Sequence, residues 1–184
     1  MTVLVTGGAG YIGSHMVWEL LDAGEEVVVL DRLSTGHAWA VAPRARLVVG
    51  DIGDTSLVAS LIREERIDAI VHFAGSVVVP ESIADPLGYY LNNTSKTRDL
   101  IETAVAGGVR HFVFSSTAAI YGDPVAGPID EDVSPQPVTP YGKSKLMSEW
   151  MLRDTAAAHD LSVAVLRYFN VAGCDPSGRT GQST

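Results

Sequence analysis

The sequence predicts an α/β fold built on a doubly wound parallel sheet, with strand order 3-2-1-4-5-6. Three observations support this prediction. Apolar runs of strand length alternate along the chain with segments of helix length. The runs are apolar throughout, a pattern typical of strands that helices cover on both faces. A glycine-rich turn joins the first strand to the first helix.

Six strands are predicted from short runs rich in β-branched and aromatic residues. They cover Val3–Thr6, Glu26–Asp31, Arg46–Val49, Ala69–Phe73, His111–Ser115 and Ser162–Tyr168. Repeats of strand, helix and strand form parallel sheets through right-handed crossovers.

Four helices lie between the strands, and most have recognisable end signals. They cover Tyr11–Ala23, Thr55–Glu65, Pro86–Ala106 and Tyr141–His159. The first has apolar residues four apart and stops at Gly24. Asp85 caps the third, and Pro86 takes its first position, where a missing N–H costs nothing. Gly107-Gly108 ends that helix, and Thr139-Pro140 is a start signal for the fourth.

Two stretches lack these patterns. Tyr121–Pro140 holds five of the nine prolines and is predicted to be a loop. After Asn170 no periodic element follows, so we expect a disordered tail over residues 171–184. The predicted organisation is one domain over residues 1–170, followed by this tail.

The composition excludes several classes of protein. With 184 residues, a formal charge of −9 and 46% hydrophobic residues, the chain is too apolar to be disordered and too acidic for nonspecific nucleic-acid binding. The single Cys174 excludes an intramolecular disulfide framework, and the five histidines show no metal-ligand spacing, so we expect no metal. No window approaches the roughly 20 apolar residues of a membrane span, and the N-terminus lacks a signal-peptide pattern. We therefore expect a cytoplasmic protein with no membrane partner.

The glycine-rich turn has the form of a dinucleotide-binding motif. It satisfies both GxGxxG, through Gly8, Gly10 and Gly13, and GxxGxxG, through Gly7, Gly10 and Gly13. Such glycines let backbone N–H groups and the positive end of a helix approach a pyrophosphate. The alternative is a turn that only packs helix against strand. Asp31 ends the second strand 21 residues after Gly10, which favours dinucleotide binding.

The ends of the next strands refine the prediction of the cofactor. A carboxylate at Asp31 can accept hydrogen bonds from ribose hydroxyls and would repel a 2′-phosphate, which favours NAD over NADP. Arg32 beside it could hold a 2′-phosphate, so the choice stays open. Asp51-Ile52 could meet the adenine or could cap a helix. Phe73-Ala74-Gly75 could let the cofactor pass or could be an ordinary turn.

A tyrosine and a lysine form a candidate catalytic pair. Tyr141 and Lys145 are four residues apart and lie on one face of the fourth helix. A phenol has a pKa near 10, and a neighbouring ammonium would lower it toward that of a useful base. The alternative is an exposed Tyr and Lys with no function. Ser115-Ser116-Thr117 ends the fifth strand at the sheet edge where ligands bind, which favours catalysis.

These motifs together resemble the extended short-chain dehydrogenase/reductase family, and within it the UDP-glucose 4-epimerases. The resemblance rests on VTGGAGYIGSH at 5–15, LDRLSTG at 30–36, GDI at 50–52, HFAG at 72–75, FSSTAAIYGD at 114–123, PYGKSKLMSE at 140–149 and LRYFNVAG at 166–173. It covers essentially the whole chain and implies a Rossmann fold that binds NAD.

The resemblance also implies a set of cofactor contacts. Beside the motif glycines Gly7, Gly10 and Gly13, it assigns the pyrophosphate to Tyr11 and Ile12, the adenosine ribose to Asp31, Leu33, Ser34, Thr35 and Gly36, and the adenine to Asp51 and Ile52. Further along, it assigns the middle of the cofactor and its nicotinamide side to Phe73, Ala74, Gly75, Asn92, Ser115, Tyr141, Lys145 and Phe169. Val77 stands where many relatives have a lysine, so that contact is lost.

The implied reaction is epimerisation at C4 of a UDP-sugar through a 4-keto intermediate. Tyr141 would be the base, Lys145 its electrostatic partner, Thr117 a hydrogen-bond partner of the 4′-hydroxyl, and Asn170 a contact to the substrate diphosphate. Dehydratases and decarboxylases of the family carry an acid just after the strand-5 hydroxyl. Thr117-Ala118-Ala119 has none, which favours epimerisation.

The resemblance leaves some alternatives open. The family continues past this point into a region that supplies most of the nucleotide-sugar pocket, so we expect the chain to stop before that region. Other UDP-sugar epimerases or reductases, and a noncatalytic NAD-binding module, remain alternatives. Family members often pair through helices like those predicted at 86–106 and 141–159, so we expect a homodimer.

Overall fold

The computed structural model describes residues 1–123 and 127–182. Its six strands are β1 (Thr2–Thr6), β2 (Glu26–Asp31), β3 (Arg46–Val49), β4 (Ala69–His72), β5 (His111–Ser115) and β6 (Ser162–Leu166). They form one parallel sheet in the order β3-β2-β1-β4-β5-β6. The predicted fold class and strand order are confirmed.

The described residues form six α-helices: α1 (Tyr11–Asp22), α2 (Thr55–Glu64), α3 (Val79–Ala84), α4 (Pro86–Tyr90), α5 (Lys96–Ala106) and α6 (Pro140–Ala158). The single helix predicted over 86–106 is α4 and α5, joined by a π-helical turn at Leu91–Ser95. The short helix α3 was not predicted. Two 3₁₀ turns, Ala38–Ala40 and Ala118–Tyr121, follow β2 and β5.

The core consists of two layers, one on each face of the sheet. Leu4, Leu30 and Phe112 face one side, where they pack with residues of α2, α5 and α6. Val5 and Val29 face the other side, where they pack against α1. Adjacent residues of one strand therefore enter opposite layers, and both must be apolar.

The edge strand β6 departs from the prediction that helices cover both faces of every strand. Its residues alternate between exposed and partly buried, and only Val163 and Val165 pack against the core. Among the described residues, nothing buries Ala164 or Leu166 on the opposite face. The apolar composition of the run concealed this one-sided burial.

The two stretches predicted to lack regular structure behave differently. Between Tyr121 and Pro140 the described residues form no helix or strand, and residues 124–126 lie outside the described part. The prediction of disorder after residue 170 is wrong for residues 171–182. Cys174 and Gly181 form an antiparallel bridge there, and the Thr180 hydroxyl lies 2.6 Å from that of Ser14 on α1. Arg179 pairs with Asp22 at the far end of α1, which holds this segment in place.

Candidate active site

A cleft of about 1060 Å³ opens along the carboxyl ends of the strands. It crosses the point between β1 and β4 where the strand order reverses, which is where open α/β sheets bind their ligands. Every cofactor and substrate residue that the resemblance assigns, except Leu33, lines this cleft. Leu33 instead packs against the α1 layer of the core, and its N–H donates to the Asp31 carboxylate.

The glycine turn leaves room for an anion at the start of α1. Gly7 has a φ of +73°, and a Cβ there would lie 2.6 Å from the Ala74 nitrogen. A Cβ at Gly13 would lie 2.2 Å from the Gly7 oxygen. Gly10 begins the helix and faces the cleft, and a Cβ there would meet only the Gly7 oxygen, at 3.3 Å. The turn therefore fits a pyrophosphate, which backbone N–H groups can approach here.

The remaining glycine of the turn, Gly8, has a packing role. A Cβ at Gly8 would lie 2.8 Å from the Val29 side chain, and Gly8 does not line the cleft. Of the two motifs that the turn satisfies, GxxGxxG therefore corresponds to the glycines that line the cleft, Gly7, Gly10 and Gly13. Gly8 instead allows the turn to sit close against β2.

Asp31 ends β2, and two backbone N–H groups fix its carboxylate at the edge of the cleft. Its carboxylate accepts hydrogen bonds from the N–H groups of Ala9 (3.0 Å) and Leu33 (2.8 Å). A carboxylate has about four acceptor positions, so two remain for ligand hydroxyls. Asp31 is buried and lines the cleft.

Asp51 is not the helix cap that was one of its two interpretations. Asp54 caps α2 and accepts the Leu57 N–H at 3.0 Å. The Asp51 carboxylate lines the cleft, accepts the Gly53 N–H at 2.8 Å and pairs with the Lys96 ammonium at 2.6 Å.

The first turn of α6 is fixed by a cap and by a close backbone approach. The Thr139 hydroxyl accepts the Gly142 N–H at 3.2 Å, and Pro140 takes the first helical position. A Cβ at Gly142 would lie 2.7 Å from the Ala119 oxygen. Tyr141 is therefore carried directly against the 3₁₀ turn that follows β5.

Lys145 is buried at the base of the cleft. Its ammonium donates to the Ser115 carbonyl oxygen at 2.9 Å and lies 5.0 Å from the centre of the Phe114 ring. Burial lowers the pKa of the Lys145 ammonium from 10.5 to about 8. The group still carries its charge at neutral pH.

Tyr141 does not show the lowered pKa expected from its neighbour. Burial raises the pKa of the Tyr141 phenol, and a hydrogen bond with Thr117 opposes that shift without cancelling it. The expectation that Lys145 lowers this pKa is therefore wrong for the chain alone, because desolvation dominates. The Thr117 oxygen accepts the Ala119 N–H at 3.1 Å, which leaves its own hydrogen to donate.

Sequence reasoning missed a buried ionic group beneath the catalytic pair. The Glu149 carboxylate is fully buried, pairs with Arg167 at 2.7 Å and accepts the Ser116 hydroxyl. Glu149 lies four residues after Lys145, on the same helical face, and this spacing is the signal that could have revealed it.

The π-helical turn brings two asparagines to the same region. The Asn93 side-chain amide accepts the Ser76 backbone N–H and donates to the Ser76 carbonyl oxygen. It also donates to the Ser144 hydroxyl on α6. The Asn92 amide donates to the Ser76 hydroxyl at 2.9 Å. Asn93 therefore joins the loop after β4 to α6, and Asn92 ties the π-helical turn to that loop.

No group of three or more His, Cys, Asp or Glu residues is arranged to hold a metal within residues 1–123 and 127–182. Over the same residues, no helix is both long and apolar enough to span a bilayer.

Comparisons with known proteins agree with this site. A profile of the NAD dependent epimerase/dehydratase family matches residues 3–183. A UDP-glucose 4-epimerase of Azospirillum brasilense is 55% identical over 182 residues, which are 99% of this chain and 52% of that protein.

Two solved structures are similar over nearly the whole chain. One is a UDP-glucose 4-epimerase from Brucella ovis in complex with NAD, with a TM-score of 0.95 and 42% identity over 99% of this chain and 56% of that one. The other is the Bifidobacterium longum enzyme in complex with NAD⁺ and UDP, with a TM-score of 0.93 and 37% identity over 99% and 57%. The chain spans about half the length of these relatives and belongs to the NAD dependent epimerase/dehydratase family.

Proposed function

We propose that this chain supplies the NAD-binding and proton-transfer part of a UDP-glucose 4-epimerase. The carrying observation is that Tyr141, Thr117 and Lys145 all line the cleft that the glycine turn also lines, with the Lys145 ammonium held there by the Ser115 carbonyl oxygen. The similarity to UDP-glucose 4-epimerases over 99% of the chain supports the same reaction.

The residues of the cleft divide the binding of NAD among them. The start of α1 would hold the pyrophosphate, the Asp31 carboxylate the ribose, and the Asp51-Ile52 pair the adenine, since all of them line the cleft. Bound NAD would supply a hydride acceptor and donor for C4 of the sugar, so that the net reaction would be redox-neutral.

The protein residues handle the proton of the 4′-hydroxyl. Tyr141 takes this proton and later returns it, while Thr117 donates a hydrogen bond at the same oxygen. Burial raises the pKa of the Tyr141 phenol, and Lys145 does not lower it in the chain alone, so the positive charge of a bound nicotinamide would have to favour the phenolate. The absence of an acid in Thr117-Ala118-Ala119 favours epimerisation over dehydration.

The substrate would be a UDP-hexose, with Asn170, which lines the cleft, as a contact to its diphosphate. Phe169 also lines the cleft, and its exposed ring would be free to contact the nicotinamide. Other UDP-sugars are the competing substrates.

A homodimer is part of the proposal. Ile83, Leu87 and Leu91 are exposed apolar residues spaced four apart, and Trp150 on α6 is also exposed. Helices α3 and α4 both pack against α6, so Ile83, Leu87 and Trp150 lie on neighbouring helices, although Asp85 interrupts the helix between Ile83 and Leu87. Exposed apolar side chains on neighbouring helices support contact with a second copy of the chain. Sedimentation velocity tests this: a dimer is expected, and Leu87→Glu should yield a monomer.

Incubation of the purified protein with UDP-galactose tests the reaction. We expect NAD to be detected by absorbance on this chain, and UDP-glucose to form with a longer chain that also carries the rest of the nucleotide-sugar pocket. NAD binding without turnover in this chain and in a longer chain would favour a noncatalytic NAD-binding module. Failure to bind NAD would contradict the whole proposal.

A further inference from the structure

Three charged residues meet at the ribose end of the cleft. The Asp51 carboxylate lies 2.6 Å from the Lys96 ammonium and 3.7 Å from the Arg32 guanidinium. Lys96 begins α5, Arg32 follows β2 and Asp51 follows β3, so three separate segments bring these charges together.

Arg32 is the residue whose position left the cofactor prediction open. It lines the cleft directly after Asp31, where an arginine can bind the 2′-phosphate of NADP. In the structure its guanidinium is held at two points. Its Nε donates to the Ser34 hydroxyl at 3.0 Å, and its Nη1 lies toward the Asp51 carboxylate.

Asp51 is charged at neutral pH and can hold both cations. Burial opposes its ionisation, but hydrogen bonds from Lys96 and Gly53 outweigh burial and keep the pKa of the Asp51 carboxyl below its ordinary value. Asp31 and Asp51 together balance the charges of Arg32 and Lys96. A 2′-phosphate at this place would therefore meet no net positive charge.

We propose that Asp51 is a specificity-determining residue that favours NAD over NADP by occupying Arg32, the cation of this group that lines the cleft. This inference rests on the proposed function, because it concerns the same cofactor cleft. It differs from the repulsion by Asp31, since Asp51 acts by withholding the Arg32 guanidinium from the phosphate.

The test is the ratio of the dissociation constants for NADP and NAD, measured by calorimetry on the purified chain. Asp51→Asn releases Arg32 and should improve NADP binding relative to NAD by about tenfold, the effect of one charge-assisted hydrogen bond. The double variant Asp51→Asn with Arg32→Ala should lose most of this gain. If the gain survives without Arg32, simple removal of a negative charge explains it and the proposal is wrong.

An alternative variant and the binding of NAD to the wild-type protein distinguish failure of this inference from failure of the proposed function. Asp51→Ser can still accept the Gly53 N–H and replaces the Asn variant if that protein does not fold. Wild-type protein that binds NAD, with an unchanged ratio in the folded Asp51 variant, overturns this inference alone. Wild-type protein that binds neither nucleotide overturns the proposed function as well.

Discussion

The Lys145 ammonium donates a hydrogen bond to the Ser115 carbonyl oxygen at 2.9 Å. This bond ties the middle of α6 to the end of β5 and directs the charge of a buried lysine toward the base of the cleft. One turn earlier, Tyr141 meets Thr117, and one turn later, Glu149 accepts the Ser116 hydroxyl. Three successive turns of α6 thus contact Ser115, which ends β5, and the two residues that follow it, Ser116 and Thr117.

Tyr141→Phe should remove turnover while leaving NAD bound. The ring still fills its site, but the proton acceptor is lost, so we expect the rate to fall at least about 100-fold. The measurement is UDP-galactose conversion by an active form of the enzyme, with bound NAD read by absorbance. Turnover at the wild-type rate would contradict the assignment of the base.

Lys145→Met should stabilise the fold at neutral pH. The pKa of Lys145 is lowered from 10.5 to about 8 in the folded state. Below pH 8 both states are charged, and folding bears the full cost of burying the charge. Between pH 8 and 10.5 the unfolded chain holds more protons than the folded chain, so stability rises with pH.

The variant removes a cost of up to about 3 kcal/mol but leaves the Ser115 carbonyl without its donor, so we expect a gain of about 1–2 kcal/mol at pH 7. Urea unfolding at pH 7 and pH 10 measures it. The gain should shrink at pH 10, and an equal gain at both pH values would show that burial of the charge is not the cause.

Gly10→Ala should separate folding from cofactor binding. Its Cβ would meet only the Gly7 oxygen, at 3.3 Å, and would project toward the cleft. We expect thermal stability close to wild type, with NAD affinity reduced at least about tenfold, because the backbone can no longer approach the pyrophosphate.

Gly13→Ala is the contrasting variant, since its Cβ would lie 2.2 Å from the Gly7 oxygen and the turn itself must move. Calorimetric titration and thermal melts of both variants compare the two effects. Unchanged NAD binding in Gly10→Ala would place the pyrophosphate elsewhere.

Glu149→Ala should destabilise the protein by about 3–5 kcal/mol, because it leaves the Arg167 charge unpaired. The Arg167 side chain is only 8% exposed, whereas Arg153, which also contacts Glu149, is 56% exposed. Arg153→Ala is therefore the matched control, with an expected loss of less than about 1 kcal/mol. Chemical unfolding curves measure both, and equal losses would show that burial of the pair does not matter.

Much of the fold could be predicted because its signals are local. The β-branched run at β2, the stop at Gly24 and the Asp85-Pro86 start each lie within a few residues of the element they specify. The glycine turn and Asp31 are equally local signals, and both lie in the cleft where they predict cofactor binding.

The parts that could not be predicted depend on contacts between distant segments. The π-helical turn is held by Asn93, which reaches Ser76 and Ser144. Arg179 pairs with Asp22, which is 157 residues away in the sequence, and no local pattern predicts that ion pair. The raised pKa of Tyr141 follows from its burial, which composition and spacing do not reveal.

The three contacts of Tyr141, Lys145 and Glu149 fix the rotation and axial position of α6 relative to the end of β5. An α-helix advances about 100° per residue, so one residue inserted between Tyr141 and Glu149 would rotate the later contacts out of line with the strand. An insertion just beyond Glu149 would leave these three contacts in place but would turn the buried Leu152 out of the core. Added length in α6 should therefore be tolerated only beyond Leu152.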